Sequence, residues 1–130
     1  ATHIAADETY VMPPREWVTR DLAALLRREF YALGILSPVA SAYGGPVGAF
    51  DCDDFADGAA FYAQATARTG LKTPAGVVFG VLYYTRDTGG RHALNFSLTH
   101  DAGVIFFEPQ TLREVSLSAT EIASVDFWRF

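Results

Sequence analysis

The chain of 130 residues is 50% hydrophobic, 14% aromatic and 19% charged, which fits one folded domain and excludes a disordered segment. Its formal charge is −5, from 10 basic and 15 acidic residues. Because the basic residues are scattered along the chain, we expect no nucleic acid partner. The longest apolar run, residues 76–84, is far shorter than the roughly 20 residues that cross a bilayer, which excludes a membrane span.

Two helices are predicted in the first half of the chain. A proline pair suits the first turn of a helix, and apolar residues recur at three- and four-residue steps after it, so we predict a helix over residues 14–33. The glycines and prolines of residues 35–50 indicate an irregular loop. A second apolar stripe begins at Cys52 and ends at Gly70, which predicts a helix with Cys52 in its first turn.

The second half of the chain has the pattern of β-strands. Residues 77–84 are β-branched and aromatic, and a glycine turn follows them, which predicts a hairpin with the alternating strand at residues 92–98. Further strands are predicted at residues 104–107, 115–117 and 124–130. Helices followed by an antiparallel sheet, without a linker or a repeat, predict a single α+β domain over residues 1–130.

The single cysteine, Cys52, lies at the start of the second helix within an acidic segment. Unsatisfied N–H groups at a helix N-terminus carry partial positive charge, which favours the thiolate and makes the sulfur a better nucleophile. The carboxylates of Asp51, Asp53 and Asp54 oppose this effect unless they point away, pair with cations or bind a metal. A lone cysteine also excludes an intrachain disulfide. Cys52 is therefore either a nucleophile or a small buried apolar side chain.

A cysteine nucleophile needs a general base and a polar group that orients the base. His92 begins one predicted strand and Glu108 ends the next, and antiparallel pairing of these strands brings the two residues close together. His92 is therefore the candidate base, and its alternative role is that of a hydrogen-bonded core histidine. Glu108 is the candidate orienting group, with Asn95 and Asp126 as alternatives.

A cysteine that opens a helix, a histidine that begins a strand and a carboxylate that ends the next strand resemble the papain-like superfamily. Within it, Asp-Cys-Asp-Asp-Phe-Ala at 51–56, His-Ala-Leu-Asn at 92–95 and Phe-Glu-Pro-Gln at 107–110 are most similar to the agglutinin C-terminal domain family of calcium-dependent cysteine proteases joined to a lectin domain. The resemblance implies a papain-like fold and a triad with Cys52 as nucleophile, His92 as base and Glu108 as orienting residue.

Two features depart from this resemblance. The glutamine that precedes the nucleophile in papain-like proteases and helps to form the oxyanion hole is absent, because glycine, proline and valine occupy residues 45–47. The main-chain N–H of Cys52 can supply one oxyanion donor, and the second is unassigned. The chain also contains no lectin domain, which leaves delivery of a protease to its substrate unexplained.

The resemblance also implies that calcium organises the site, and the residues give this a physical basis. Calcium takes six to eight oxygen ligands, and Asp53 or Asp54 shares a helix face with Asp57 at four- or three-residue spacing. The amide oxygen of Gln110 is a further candidate ligand. We therefore predict a calcium site formed by Asp53, Asp54, Asp57 and Gln110, in which the ion neutralises the acidic segment and activates the thiol.

The function predicted from these residues is calcium-dependent hydrolysis of peptide bonds in a protein or peptide substrate. Transglutaminase-like acyl transfer and cell-wall amidase activity use the same chemical groups and stay open as alternatives. A non-catalytic calcium-binding interaction module with an inert cysteine is the contrasting alternative. A lectin partner and a homo-oligomer are also considered. Residues 1–10 show no signal-peptide pattern and no initiating methionine, which indicates processing and leaves a secreted or a cytoplasmic location open.

Overall fold

A computed structural model of the protein describes residues 2–4, 10–35, 51–73 and 75–130. Within these ranges, helices and a mainly antiparallel sheet form an α+β fold, so the α+β class is confirmed, whereas the papain-like architecture stays a prediction. The loop predicted at residues 35–50 lies outside the described residues from residue 36 onward. None of the helices in the described ranges is both long and apolar enough to cross a membrane.

The two predicted helices are present. A π-helical stretch, Trp17–Leu22, continues into α1, Ala23–Ala32, and the pair packs its apolar stripe against the core. A π-helical turn is wider than an α-helical one, so a search for the 3.6-residue period did not predict it. The second helix, α2, spans Cys52–Gly70 and starts at the predicted residue. A short helix near the end of the chain, α3 at Ala119–Ala123, was not predicted.

The described ranges contain eight strands. In chain order they are β1 (Thr2–Ile4), β2 (Tyr10–Val11), β3 (Gly76–Val77), β4 (Phe79–Thr85), β5 (Arg91–Thr99), β6 (Gly103–Glu108), β7 (Arg113–Val115) and β8 (Phe127–Arg129). Six of them form one sheet in the order β1-β8-β4-β5-β6-β7, whereas β2 and β3 form a separate parallel pair. In the main sheet β1 is parallel to β8, and the other neighbours are antiparallel.

The central strand β5 is buried on both faces, because every residue from 92 to 97 is buried. On one face, Ala93 belongs to the core cluster that α1 and α2 form with the sheet. On the other face, Leu94 and Phe96 belong to a second cluster with Leu82 and Tyr84 of β4. Successive side chains of a strand point to opposite faces, so β5 separates two apolar layers.

The edge of the sheet depends on a close contact between β4 and β8. Gly80 of β4 lies against the main chain of Arg129, and a Cβ at residue 80 would overlap the Arg129 carbonyl oxygen. Any larger residue at position 80 would push β8 away from its partner strand. Glycine is therefore needed here for close approach of two backbones.

Helix α2 packs on the sheet through small residues, and a glutamine links it to the strands. Its buried face contains Ala56, Ala59, Ala60, Ala63 and Ala67, together with Phe55. Gln64 donates from Nε2 to the carbonyls of Val77 and Phe79, at 2.9 and 3.2 Å, and its Oε1 accepts the Val77 N–H at 3.0 Å. The amide of Gln64 thus acts as one more rung of the ladder and ties the middle of α2 to β3 and β4.

Candidate active site

Cys52 is the first residue of α2, as the sequence predicted. The preceding residue, Asp51, has extended backbone angles and is the N-cap, and its N–H donates to Asp54 Oδ2 at 3.2 Å. The thiol is free and half-buried, and it packs against the core cluster below α2. This places a reduced sulfur at the partly positive end of a long helix.

His92 and Glu108 form a hydrogen bond in which the imidazole is buried and the carboxylate is partly buried. His92 Nε2 lies 2.6 Å from Glu108 Oε2, and the side chains are 4% and 13% exposed respectively. The other carboxylate oxygen, Oε1, accepts the main-chain N–H of Gln110 at 3.1 Å. The imidazole ring also contacts the edge of the Tyr84 ring, with centroids 5.8 Å apart. These contacts fix the ring and leave Nδ1 without a hydrogen bond among the described residues.

The strand register explains why these two residues meet. β5 and β6 pair Asn95 with Phe107, so continuation of the register by one residue would bring Glu108 opposite Leu94. Leu94 and His92 lie two residues apart and therefore share a face of β5. Glu108 is thus the diagonal neighbour of His92, at a separation that long side chains can span. The proximity predicted from antiparallel pairing is present in the structure.

A tight turn after β6 holds Glu108 in place. The N–H groups of Thr111 and Leu112 donate to the Glu108 carbonyl at 3.3 and 2.8 Å. Leu112 has a φ of 61°, in the left-handed region that costs a branched side chain energy. Its side chain is buried in the same core cluster as Cys52, which compensates for this strain. The carboxylate is therefore anchored by its own turn as well as by His92.

The first turn of α2 lies at the same end of the sheet as His92. The Ala56 carbonyl meets Asn95 of β5, whereas Gln64 meets Phe79, which pairs with Ser97. Moving back along α2 therefore moves toward the start of β5. One turn from Ala56 to Cys52 covers about 6 Å, and the same distance along β5 leads from Asn95 to Ala93. Cys52 therefore lies toward the start of β5, which is the end of the strand that contains His92.

The thiol and the imidazole nevertheless belong to different faces of β5. Ala93 and Asn95 face α2, whereas His92 contacts Tyr84 in the second cluster. Within the described residues no hydrogen bond joins Cys52 to His92. The structure therefore brings together the candidate base and its orienting carboxylate, and it places the candidate nucleophile at the same end of the sheet without a hydrogen bond to the base among the described residues.

Three carboxylates cluster at the start of α2. Oxygen atoms of Asp51, Asp53 and Asp54 lie within 4.8 Å of one another. The side-chain hydrogen bond between Asp51 and Asp53, together with the negative charges of Asp53 and Asp54, raises the pKa of the Asp51 carboxyl. Burial raises the pKa of the nearby Tyr83 hydroxyl, and the charge of Asp53 raises it further. The carboxylates at this end of α2 therefore repel one another.

The four predicted metal ligands are not all placed as expected. Asp53 and Asp54 lie together, but the third member of their group is Asp51. Helical spacing alone favoured Asp57, because it does not describe how the N-cap residue folds back over the first turn. Asp57 forms an ion pair with Arg129 of β8. Gln110 is buried beside Glu108, where its main-chain N–H donates to Glu108 Oε1.

The two alternatives to Glu108 as the orienting group have other partners. Asp126 forms an exposed ion pair with Arg91, at 2.9 Å. Asn95 is fully buried and donates from Nδ2 to the carbonyls of Ala56 and Gly80. Neither side chain forms a hydrogen bond with His92 among the described residues, so Glu108 is the residue that occupies this position.

The comparison with protein families assigns the chain. Residues 36–114 match the family described as agglutinin C-terminal. The chain belongs to the agglutinin C-terminal family. The matched segment includes Cys52, His92 and Glu108 as well as the acidic cluster. No curated protein matches the sequence significantly.

Two solved structures share the fold of this family member. One is titled "PSL1a-E64 complex" and superposes with a TM-score of 0.67 at 18% identity, covering 99% of this chain and 42% of that chain. The other is the Polyporus squamosus lectin bound to the epitope Neu5Aca2-6Galb1-4GlcNAc, with a TM-score of 0.59 at 20% identity, covering 97% of this chain and 41% of that chain. The chain thus spans less than half the length of each.

Proposed function

We propose that this chain is a cysteine-dependent hydrolase of peptide bonds with a papain-like arrangement of Cys52, His92 and Glu108. The observation that carries the proposal is the 2.6 Å contact between Nε2 of the buried His92 and Oε2 of the partly buried Glu108. A carboxylate that binds one ring nitrogen fixes the tautomer of the imidazole and directs the other nitrogen elsewhere. Here the free nitrogen is Nδ1, the atom that would accept the thiol proton.

The proposed reaction is acyl transfer through a thioester. The Cys52 sulfur attacks the carbonyl carbon, and its proton moves to Nδ1 of His92. His92 then protonates the leaving amine, and a water molecule hydrolyses the thioester and regenerates the thiol. Glu108 stabilises the imidazolium that forms between the two transfers. The mechanism requires the thiol and Nδ1 to approach within about 3–4 Å when substrate is bound, a contact that is often looser without substrate.

Calcium is part of the proposal, and the acidic cluster suits it. Asp51, Asp53 and Asp54 offer carboxylate oxygens within 4.8 Å of one another, and such hard oxygen donors are the ligands that calcium prefers. The pKa of Asp51 is raised chiefly by its hydrogen bond with Asp53 and further by the charges of Asp53 and Asp54, and a cation would relieve the repulsion between these charges. A calcium ion bound there would supply positive charge beside the first turn of α2. Asp57 would stay paired with Arg129 and is not included among the ligands.

A second function, a non-catalytic interaction module, is favoured by the name of a structural neighbour. The Polyporus squamosus protein is a lectin with a sialylated epitope in its title, and Cys52 forms no hydrogen bond with His92 in the described residues. The identity of that neighbour thus supports binding, whereas the His92–Glu108 geometry supports hydrolysis. Because this chain covers 41% of the lectin, glycan binding is proposed for this chain only as the alternative to be tested.

The deciding experiment measures cleavage of an unfolded protein by wild type and Cys52→Ala, each with calcium and with chelator. Mass spectrometry of the products separates peptide hydrolysis from transglutaminase-like transfer, and a cell-wall peptide tests amidase activity. Labelling by the thiol-reactive epoxide E64 is measured in parallel. We expect cleavage and labelling by the wild type alone, each faster with calcium.

The interaction module predicts a different set of results. The wild type would leave every substrate intact, and E64 would not label Cys52. In calorimetry, the trisaccharide Neu5Aca2-6Galb1-4GlcNAc would bind with equal affinity to wild type and Cys52→Ala. Cleavage that persists in Cys52→Ala would contradict both functions, because it would indicate a contaminating or a different active centre.

A further inference from the structure

The face of α2 that packs on the sheet consists mainly of alanines. The helix buries alanines at positions 56, 59, 60, 63 and 67, and methyl groups permit close approach but interlock weakly with facing side chains. Such a face limits the distance between helix and sheet better than it limits sliding along the helix axis. Polar contacts that are specific in direction therefore have to set the axial position of α2.

Two side-chain amides make such contacts, one with the N-terminal half of α2 and one from its C-terminal half. Gln64 binds β3 and the start of β4. Asn95, from the middle of β5, donates to the Ala56 carbonyl at 2.9 Å and to the Gly80 carbonyl at 3.0 Å. Asn95 thus joins α2, β4 and β5 through one fully buried side chain. Both acceptors are main-chain carbonyls, so the two hydrogen bonds act directly on the backbone positions of α2 and β4.

The acceptor end of the Asn95 amide is not satisfied. Oδ1 is buried and has no hydrogen-bond partner among the residues that the structure describes, whereas Nδ2 donates to two carbonyls. An unsatisfied buried polar atom is a cost to stability. An apolar residue of similar shape would avoid this cost, but it would lose the two hydrogen bonds that join the Ala56 and Gly80 carbonyls. The retained amide is explained when its function is to hold the two carbonyls at a fixed separation.

The place of Asn95 in the fold connects it to the reaction. Ala56 lies one helical turn after Cys52, and His92 lies three residues before Asn95 on the same strand. Any axial shift of α2 against β5 would displace the thiol relative to the imidazole by the same amount. We propose that Asn95 is a positioning residue that sets the Cys52 helix against the His92 strand, an inference that rests on the proposed function.

The test compares Asn95→Leu with a matched control on the same face of β5. Leucine keeps the branching and the number of side-chain heavy atoms of asparagine and removes both donors. Ser97→Ala removes another buried hydrogen bond of β5, from Ser97 Oγ to the Val78 carbonyl at 2.5 Å, which does not involve α2. Asn95→Ser serves as a second variant if the leucine variant does not fold by circular dichroism, because serine is smaller and polar.

Each folded variant is characterised by kcat and KM for cleavage, by the rate of Cys52 alkylation as a function of pH, and by hydrogen exchange at the start of α2, from the Phe55 N–H, which donates to the Asp51 carbonyl, onward. A displacement of about 1 Å at a reacting group can reduce the rate by about a hundredfold. We expect Asn95→Leu to lower kcat by about ten- to a hundredfold with KM within twofold. Its alkylation profile should approach that of His92→Ala, and its helix start should exchange faster. Ser97→Ala should stay within twofold of wild type throughout.

The outcomes separate this inference from the proposed function. Equal alkylation profiles for wild type and His92→Ala would overturn the proposed function. Hydrogen exchange would then still test whether Asn95 sets the position of α2 against β5. Equal exchange of the α2 start and equal kcat in Asn95→Leu and Ser97→Ala would overturn the positioning role. A loss confined to KM would also overturn it, because a helix shift at the nucleophile acts on the chemical step.

Discussion

The exchange of Glu108 for glutamine tests the imidazole geometry without removing any heavy atom. In the wild type, Oε1 accepts the Gln110 N–H and Oε2 faces His92 Nε2. Glutamine has one carbonyl oxygen and one NH2 group. The main-chain N–H of Gln110 can only donate, so the amide oxygen has to face it and the NH2 group has to face His92. His92 Nε2 then becomes an acceptor, and the ring proton moves to Nδ1.

This inversion places a proton on the nitrogen that has to accept one from the thiol. We expect kcat of Glu108→Gln to fall by about a thousandfold to ten-thousandfold, with KM nearly unchanged, which is the scale seen when a triad histidine adopts the wrong tautomer. The variant retains both hydrogen bonds in neutral form, so the free energy of unfolding should fall by only about 1 kcal/mol.

The assay combines cleavage kinetics with nitrogen NMR of the imidazole ring. The chain has 3 histidines, so the His92 signals can be assigned with one further variant. Glu114→Gln is the control, because Glu114 lies on β7 and forms an exposed ion pair with Arg15. This substitution should leave kcat unchanged. A ring proton that stays on Nε2 in Glu108→Gln, or an undiminished kcat, would refute the reasoning.

Further predictions concern the acidic cluster and the packing of the sheet. Asp53 raises the pKa of Asp51, so ionised Asp51 opposes folding at neutral pH, and this unfavourable contribution disappears as the pH falls through the raised pKa of the folded state. Asp53→Asn should therefore be more stable than wild type at pH 7, and calorimetry without calcium should show this difference in stability shrinking toward acid pH. Calcium should raise the Tm of wild type and of Asp57→Asn, but much less that of Asp53→Asn, since Asp57 is paired elsewhere. Gln64→Leu should lose about 2–4 kcal/mol in urea unfolding, because three hydrogen bonds disappear. Gly80→Ala should lose about 3 kcal/mol, measured in the same way, because its methyl group overlaps a carbonyl oxygen; a stability within 0.5 kcal/mol of wild type would contradict either of the last two predictions.

The sequence predicted the elements that local pattern determines. The start of α2 at Cys52 and the strands that become β4, β5 and β6 followed from periodicity and turn residues. The short strands β1, β2 and β3 did not, because two or three residues carry no usable period and their partners are distant in the chain; β1, for example, pairs with β8. Helix α3 was missed for the same reason of length.

The candidate site was predicted in part, and the limits have physical causes. The meeting of His92 with Glu108 follows from strand order, whereas the face on which they lie depends on register, which the sequence did not fix. The relation of Cys52 to His92 depends on the axial position of a helix against a sheet, which no local pattern encodes. Asn95 carried a usable signal, because an amide in the middle of an apolar alternating strand indicates a buried polar contact.

The two-sided burial of the central strands has a consequence for the unfolded chain. β4 is a run of seven residues with strong β-propensity and no charge or proline, the composition that promotes self-association of exposed segments. β5 is equally buried in the native fold, but His92, Asn95 and Ser97 interrupt its apolar sequence. Aggregation during refolding should therefore begin at β4. The polar residues of β5, whatever they contribute to the site, also keep the second buried strand soluble before it is covered.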